Sequence, residues 1–408
     1  MTGVAITGLG VVTCHGSGTR ALWDAMMAAP VTDPGPVPDP YANMDVPVVQ
    51  GVADADLPAE SLALARTSRM ALAAVDEAVA DAGLPLGGPA SGPRLGLALG
   101  TCMGDAGLHE QWRADGGKPV ARFTSEIAVA AEIAERLGPL SVATTISNAC
   151  AAGGFALGAA ADLVRSGEAD VALAVGSDAY SRVMLACFNR MGAVDPVRCR
   201  PFDRHRRGTS FGEAAGALVV ESVEHARARG ATVYGTVEGS GWTCDAYHLT
   251  APEPAGTQII RAMRAALEQT GAGRERIGCV LPHGTGTQLN DVVESRALHE
   301  VLGAGVPLYS LKALIGHTGG AAAAVAAVAA ALILRHRTVP PNVPVAEQDP
   351  ECQVWLPQGR ATPLGSDRIM VNGYAFGGNN VSLVLAGTGA LAEAGALAEA
   401  GTPAGATA

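Results

Sequence analysis

The sequence predicts a duplicated α/β fold, with helices and mixed sheets in alternating layers, and three observations lead there. Its 408 residues exceed what one hydrophobic core usually holds, so either two domains or one repeated architecture is expected. Residues 145–164 (TISNACAAGGFALGAAADLV) and 316–334 (GHTGGAAAAVAAVAAALIL) are each a Gly/Ala-rich helical stretch entered through a reactive residue, Cys150 in one and His317 in the other. Each half also opens with an apolar, glycine-containing strand pattern. Two such halves imply layers of helix and sheet, with the second Gly/Ala helix packed on the first. The expected division is residues 1–231 with Cys150, residues 232–387 with His283 and His317, and a low-complexity tail over 388–408, in which ALAEAG occurs twice, that reads as a disordered segment or a frayed helix.

In chain order, residues 4–13 (VAITGLGVVT) form a nearly unbroken apolar run, the pattern of a strand buried on both faces. Residues 30–58 are rich in Pro and Asp without a lasting period and read as a surface excursion, and 68–83 return to helical spacing. Residues 95–100 are the next strand, 100–116 a polar, glycine-punctuated stretch, and 123–137 a helix leading into the strand before Cys150. Strands follow at 171–175 and 217–221, separated by an arginine-rich loop. The second cycle runs from a strand beginning near 232 through a helix at 256–270, a strand at 278–281 and the turn PHGTGT, and closes on a strand at 381–386.

Composition excludes several functions. A net charge of −11 argues against nucleic acid as a partner, because phosphate binding needs a basic face. The eight cysteines include no CxxC pair, so neither a zinc site nor a disulfide framework is indicated. No apolar run reads as a membrane span once its glycines and charges are considered, and the first 13 residues lack the basic start of a signal peptide, so a cytoplasmic location is expected. One basic cluster stands out, Arg198, Arg200, Arg204, His205, Arg206 and Arg207, which is either a solvated loop or a site for an acidic partner or a phosphate.

Cys150 sits where strand meets helix. Free N–H groups and the partial positive charge of a helix N-terminus favour thiolate there, which would make it a nucleophile; read alone, a cysteine is more often a small buried apolar group. His283 lies at a strand end in LPHGTGTQLND, where α/β proteins bind ligands. His317 precedes the second Gly/Ala helix, five residues after Lys312. Residues 372–380 (NGYAFGGNN) join two strands through glycines whose N–H groups could hold an oxyanion.

Together these stretches resemble the β-ketoacyl-acyl carrier protein synthases, the elongating ketosynthases of fatty-acid and type II polyketide synthesis, which have the thiolase fold. The likeness runs from about residue 4 to 385 through NACAAG, RPFDRHRRGTSFGEAAGALVVE, DAYHLTAPEP, PHGTGTQLND, LKALIGHTGG and NGYAFGGNN. The resemblance implies that Cys150 accepts the acyl group, that His283 and His317 drive decarboxylation of a malonyl unit with Lys312 beside them, and that Glu294 supports them. It implies an oxyanion hole from the N–H groups of Cys150 and Phe376, an acyl gate at Phe376, and pantetheine binding at Thr285 and Thr287. No metal or redox cofactor is implied, the substrates being carried on phosphopantetheine. The implied partners are an acidic acyl carrier protein, with Arg66, Arg69, Arg206 and Arg207 as its contacts, and a second copy or a related ketosynthase-like chain, paired through the strand before the nucleophile. The same scaffold also serves acyltransferases that do not decarboxylate and chain-length factors that lack the nucleophile.

The chain departs from the family pattern near the acyl pocket. Gly208, Thr209 and Ser210 stand before Phe211 where apolar residues are usual, Gly373 and Asn379 replace a serine and a threonine, and Tyr374 replaces a phenylalanine. His109 falls near a position lining the pocket floor. With Thr209 and Phe211 these changes suggest a short, polar or functionalised acyl chain.

Overall fold

The computed structural model describes residues 3–58, 64–85, 92–117 and 126–390. The first three residues of the helix expected at 123–137, and all but three residues of the tail at 388–408, lie outside that range. In the first half the strands are β1 (Val4–Thr13), β2 (Leu95–Gly100), β3 (Val142–Ile146), β4 (Val171–Asp178) and β5 (Ala214–Ser222). Its helices are α1 (Thr19–Ala28), α2 (Arg66–Asp81), α3 (Ala106–Ala114), α4 (Glu126–Leu137), α5 (Ala152–Arg165), α6 (Arg182–Arg190) and α7 (Val223–Ala228). The second half contributes β6 (Gly235–Cys244), β7 (Ile277–Leu281), β8 (Arg368–Tyr374) and β9 (Asn379–Ala386), with α8 (Thr257–Thr270), α9 (Gln288–Leu302), α10 (Lys312–Ile315) and α11 (Ala322–His336). The polar, glycine-punctuated stretch 100–116 contains α3.

These nine strands lie in one ten-stranded mixed sheet in the order β7-β8-β9-β6-β1-β5-β4-β2-β3, the tenth being the short strand Gly16–Ser17 paired with the end of β1. The two halves meet at β1, which pairs along most of its length with β5 and, over Val4 to Ile6, also with β6. Every residue of β1 is buried, as its unbroken apolar run requires. The sheet wraps around α5 and α11, which pack on each other and on strands from both halves; α2 and α4 cover one outer face, α8 and α9 the other. This five-layer order fits the repeated architecture expected of the chain. The segment Gly319–His336 is long and apolar enough to cross a bilayer, contrary to the sequence reading, but most of it is buried in the protein as the central helix.

Small residues make the central contact possible. A methyl group on Gly153 would lie 2.7 Å from the Gly320 carbonyl oxygen and 2.9 Å from the Ala324 nitrogen, and one on Gly100 would lie 2.4 Å from the Ala152 carbonyl carbon. The backbones of α5, α11 and β2 therefore meet at distances that no side chain permits. Overpacking of this kind typically costs about 1–3 kcal/mol. Gly153→Ala is accordingly expected to lose that much stability in urea unfolding followed by circular dichroism; an unchanged midpoint would show that the two helices are not held backbone to backbone.

Candidate active site

Cys150 lies in the single 3-10 turn Ala149–Ala151 between β3 and α5. Ala149, immediately before it, has a φ of +57°, a left-handed conformation that costs a residue with a Cβ about 1 kcal/mol or more. The strand thus reverses sharply into the helix and leaves the sulfur at the floor of a cavity of about 390 Å³. His283, His317, Thr209, Thr285, Thr287, Tyr374 and Phe376 line the same cavity.

His283 follows β7 by two residues and is held through its backbone. Its N–H and that of Gly284 donate to the two oxygens of Glu294 on α9, each at 2.7 Å. Lys312 Nζ donates to the His283 carbonyl at 2.5 Å and lies 3.5 Å from Nδ1 of the same ring. An ammonium beside Nδ1 makes that nitrogen the acceptor, which leaves the proton on Nε2. His317 N–H donates to the Ser210 carbonyl at 2.7 Å, and the His317 carbonyl accepts from Gly212. The two imidazoles meet edge to face with ring centroids 5.5 Å apart.

Burial sets the charges. Both histidines are held well below the usual imidazole range, first by burial and then by the Lys312 charge, so both rings are neutral. Burial likewise pushes Glu294 up to about 7 and Lys312 down, while the attraction between the two opposes both changes. Cys150 is pushed up to about 12 by burial, which outweighs the lowering influence of Lys312 and the local backbone. This corrects the expectation of a resting thiolate: the helix start is present, but the sulfur is only 7% exposed and rests as a thiol.

Other expected residues fall differently. Thr285 and Thr287 share a hydrogen bond of 2.9 Å along the cavity wall. Phe376 stacks on Phe188 with centroids 4.9 Å apart, and Phe211 meets Phe188 edge-on while lying parallel to the His317 ring. Phe211 therefore stands behind the wall, braced against His317. Thr209 is in the wall with its hydroxyl 3.7 Å from the Cys199 sulfur, whereas Ser210 and His109 do not line the cavity. Of the positions from which a polar acyl pocket was inferred, Thr209 and Tyr374 thus line the cavity.

Three of the four expected basic contacts are occupied. Arg66 is paired with Glu213 and Asp54, and Arg69, 8% exposed, with Asp54. Arg206 is 3% exposed and bridges Asp349 and Asp291. Arg69 and Arg206 are thus buried in structural ion pairs and Arg66 is half-buried in one, whereas Arg207 is exposed at the cavity.

Two residues that the sequence reading passed over organise the site. Asp291, in the first turn of α9, accepts N–H bonds from Phe202, Thr285 and Gly286. Asp178, at the end of β4, accepts from Cys102 N–H, Met103 N–H and the Thr101 hydroxyl, and also from Gly320 N–H at the entry to α11. The aspartate of LND next to the glycine-rich turn was a signal for the first; a lone aspartate closing an apolar strand was a faint one for the second.

A family model described as β-ketoacyl synthase, N-terminal domain, matches residues 1–226, and one for the C-terminal domain matches residues 234–346. The chain is 31% identical over 415 residues to the tetracenomycin polyketide synthase ketoacyl synthase alpha subunit of Streptomyces glaucescens, covering 94% of this chain and 96% of that one. Among solved structures, the ishigamide ketosynthase/chain length factor superposes with a TM-score of 0.85 at 35% identity, covering 95% of this chain and 99% of that one. A type II PKS acyl-carrier protein in complex with its ketosynthase bound to the hexaketide superposes with a TM-score of 0.84 at 27% identity, with 95% and 99% covered.

Site-resolved alkylation tests the resting state of the nucleophile. Iodoacetamide labelling of Cys150, followed by mass spectrometry, is expected to accelerate with pH beyond 9; a plateau reached below pH 7 would establish a resting thiolate.

Proposed function

The chain belongs to the β-ketoacyl synthase family, acyltransferases that form carbon–carbon bonds, and we propose that Cys150, His283 and His317 carry this chemistry here. The reaction is a decarboxylative Claisen condensation of an acyl group on Cys150 with malonyl-acyl carrier protein, in a bacterial type II polyketide or specialised fatty-acid pathway. The observation that carries this assignment of residues is the convergence of one buried thiol and two neutral imidazoles on a single cavity floor, from three distant parts of the chain.

In the first half-reaction the Cys150 sulfur attacks the acyl thioester carbonyl. The carbon–sulfur bond to the carrier breaks, and the carrier thiol departs with the proton that Cys150 gives up. Because the resting thiol is protonated, that proton must leave as the new bond forms, and the neutral rings beside it are the available relay. The N–H groups of Cys150 and Phe376 are assigned to the developing oxyanion. In the second half-reaction the malonyl carboxylate leaves as carbon dioxide, and its electron pair forms an enolate. His283 Nε2–H and the His317 ring donate to the enolate oxygen, with Lys312 fixing the His283 tautomer. The enolate carbon attacks the acyl-Cys150 carbonyl; a carbon–carbon bond forms and the thiolate leaves and is reprotonated. Atoms and charge balance without a metal or an electron acceptor, so we assign neither.

Thr285 and Thr287 are assigned to the pantetheine arm and Phe376 to the gate of the acyl pocket. The carrier protein is the substrate-bearing partner. The second partner, a copy of this chain or a related ketosynthase-like subunit, is placed at β3: this edge strand pairs only with β2 among the described residues and is half exposed along its length. A cytoplasmic location belongs to the same proposal.

Release of labelled carbon dioxide from malonyl-acyl carrier protein tests the assignment. His283→Ala is expected to abolish it, and in the intact enzyme the rate should stay flat from pH 8 down past 6.5, because both rings stay neutral below their ordinary pKa. A rate falling with a midpoint near 6.5, or acyl transfer to an amine or alcohol without carbon dioxide, would overturn the reading.

A further inference from the structure

The cavity grades from buried floor to exposed mouth. Cys150, His283, His317 and Thr285 are buried, Thr287 is half-buried, and Gln288, Leu289, Met191 and Arg207 are exposed. A substrate whose thioester reaches the floor therefore has its other end beside Arg207.

Arg207 differs from every other arginine in its loop. Arg198 pairs with Asp33, Arg200 with Asp195, Arg204 with Glu347, and Arg206 with Asp349 and Asp291. The Arg207 guanidinium has no acidic or carbonyl partner among the described residues; only its backbone N–H is engaged, donating to Asp195. Its position is nevertheless fixed. The Asp195 bond holds its backbone, the adjoining Gly208 N–H donates to the Gly286 carbonyl, and Gly286 lies between the two threonines of the cavity wall. Asp245, an acidic group lining the cavity, has both oxygens engaged, one by the Asn380 side chain and the other by the Glu253 N–H. A cation is thus held at the mouth of a protein whose net charge is −11.

We propose that Arg207 binds the phosphodiester that ends the carrier's phosphopantetheine arm, as an anchor for the arm itself rather than a contact to the carrier's surface. A planar guanidinium presents paired donors to two phosphate oxygens, and the thioester at the other end of the arm is left free to reach Cys150. This rests on the ketosynthase reading of the cavity above.

Equilibrium binding of free phosphopantetheine and of pantetheine, which lacks the phosphate, tests the proposal by calorimetry on the full chain. The native protein is expected to bind the phosphorylated compound about five- to tenfold more tightly. In Arg207→Gln that preference is expected to disappear, with pantetheine affinity unchanged, and Arg207→Lys should retain part of it. Three results would overturn the proposal: no preference in the native protein, an undiminished preference in Arg207→Gln, or a loss in Arg207→Gln confined to whole carrier protein, with equal weakening of its apo and holo forms. The last would place Arg207 against the carrier's acidic surface. No bond is made or broken in these measurements, so their outcome is independent of whether Cys150 and the two histidines carry out condensation.

Discussion

The backbone contact between α5 and α11 is the constraint on which the site depends. Each helix is entered through a tight turn, Ala149–Ala151 on one and Gly319–Ala321 on the other, so the distance between the helices sets the distance between the chemistry at their starts. Gly153 against Gly320 and Ala324 lets the two approach until backbone meets backbone. Asp178 ties the arrangement together by accepting N–H groups from the loop after β2 and from Gly320, so that one carboxylate fixes elements of both halves. Cys150 and His317 are brought together by packing rather than by any bond between them.

The same packing determines the electrostatics. Excluding water keeps the imidazoles neutral and able to donate to an enolate, but it also raises the Cys150 thiol and so forbids a free thiolate in waiting. The two effects have one cause. A site dry enough to stabilise an enolate with neutral donors must move the nucleophile's proton during attack rather than beforehand. Lys312 and Glu294 sit beneath His283, and their mutual attraction offsets part of what burial costs each of them.

What could be read from the sequence was whatever is local. The strand–cysteine–helix junction, the histidine after β7 and the glycine-rich join between β8 and β9 each carry a short-range signature of apolar run, small residues and turn glycines. Pairing and burial of long side chains are not local. Arg66, Arg69 and Arg206 look like surface cations in sequence, and their partners Glu213, Asp54, Asp349 and Asp291 are mostly remote in the chain. The thiolate expectation failed for the same reason: a helix start is visible in sequence, but the depth at which it is buried depends on α11 and the sheet. Likeness to a family pattern points His109 and Ser210 towards the acyl pocket, but which side chains reach the cavity wall is decided by the folded chain, and neither of these does.

The Cys150 sulfur and the two imidazoles act on one substrate pair in one cavity. Intact-peptide mass spectrometry during a single turnover tests it most directly: the protein is loaded from an acyl-carrier protein and then given malonyl-carrier protein. The expected result is an acyl adduct on the Cys150 peptide that vanishes as the chain lengthened by one extender unit appears on the carrier, and that persists unextended when His317 is replaced by Ala. An adduct on a different cysteine, or extension undiminished without His317, would contradict the account.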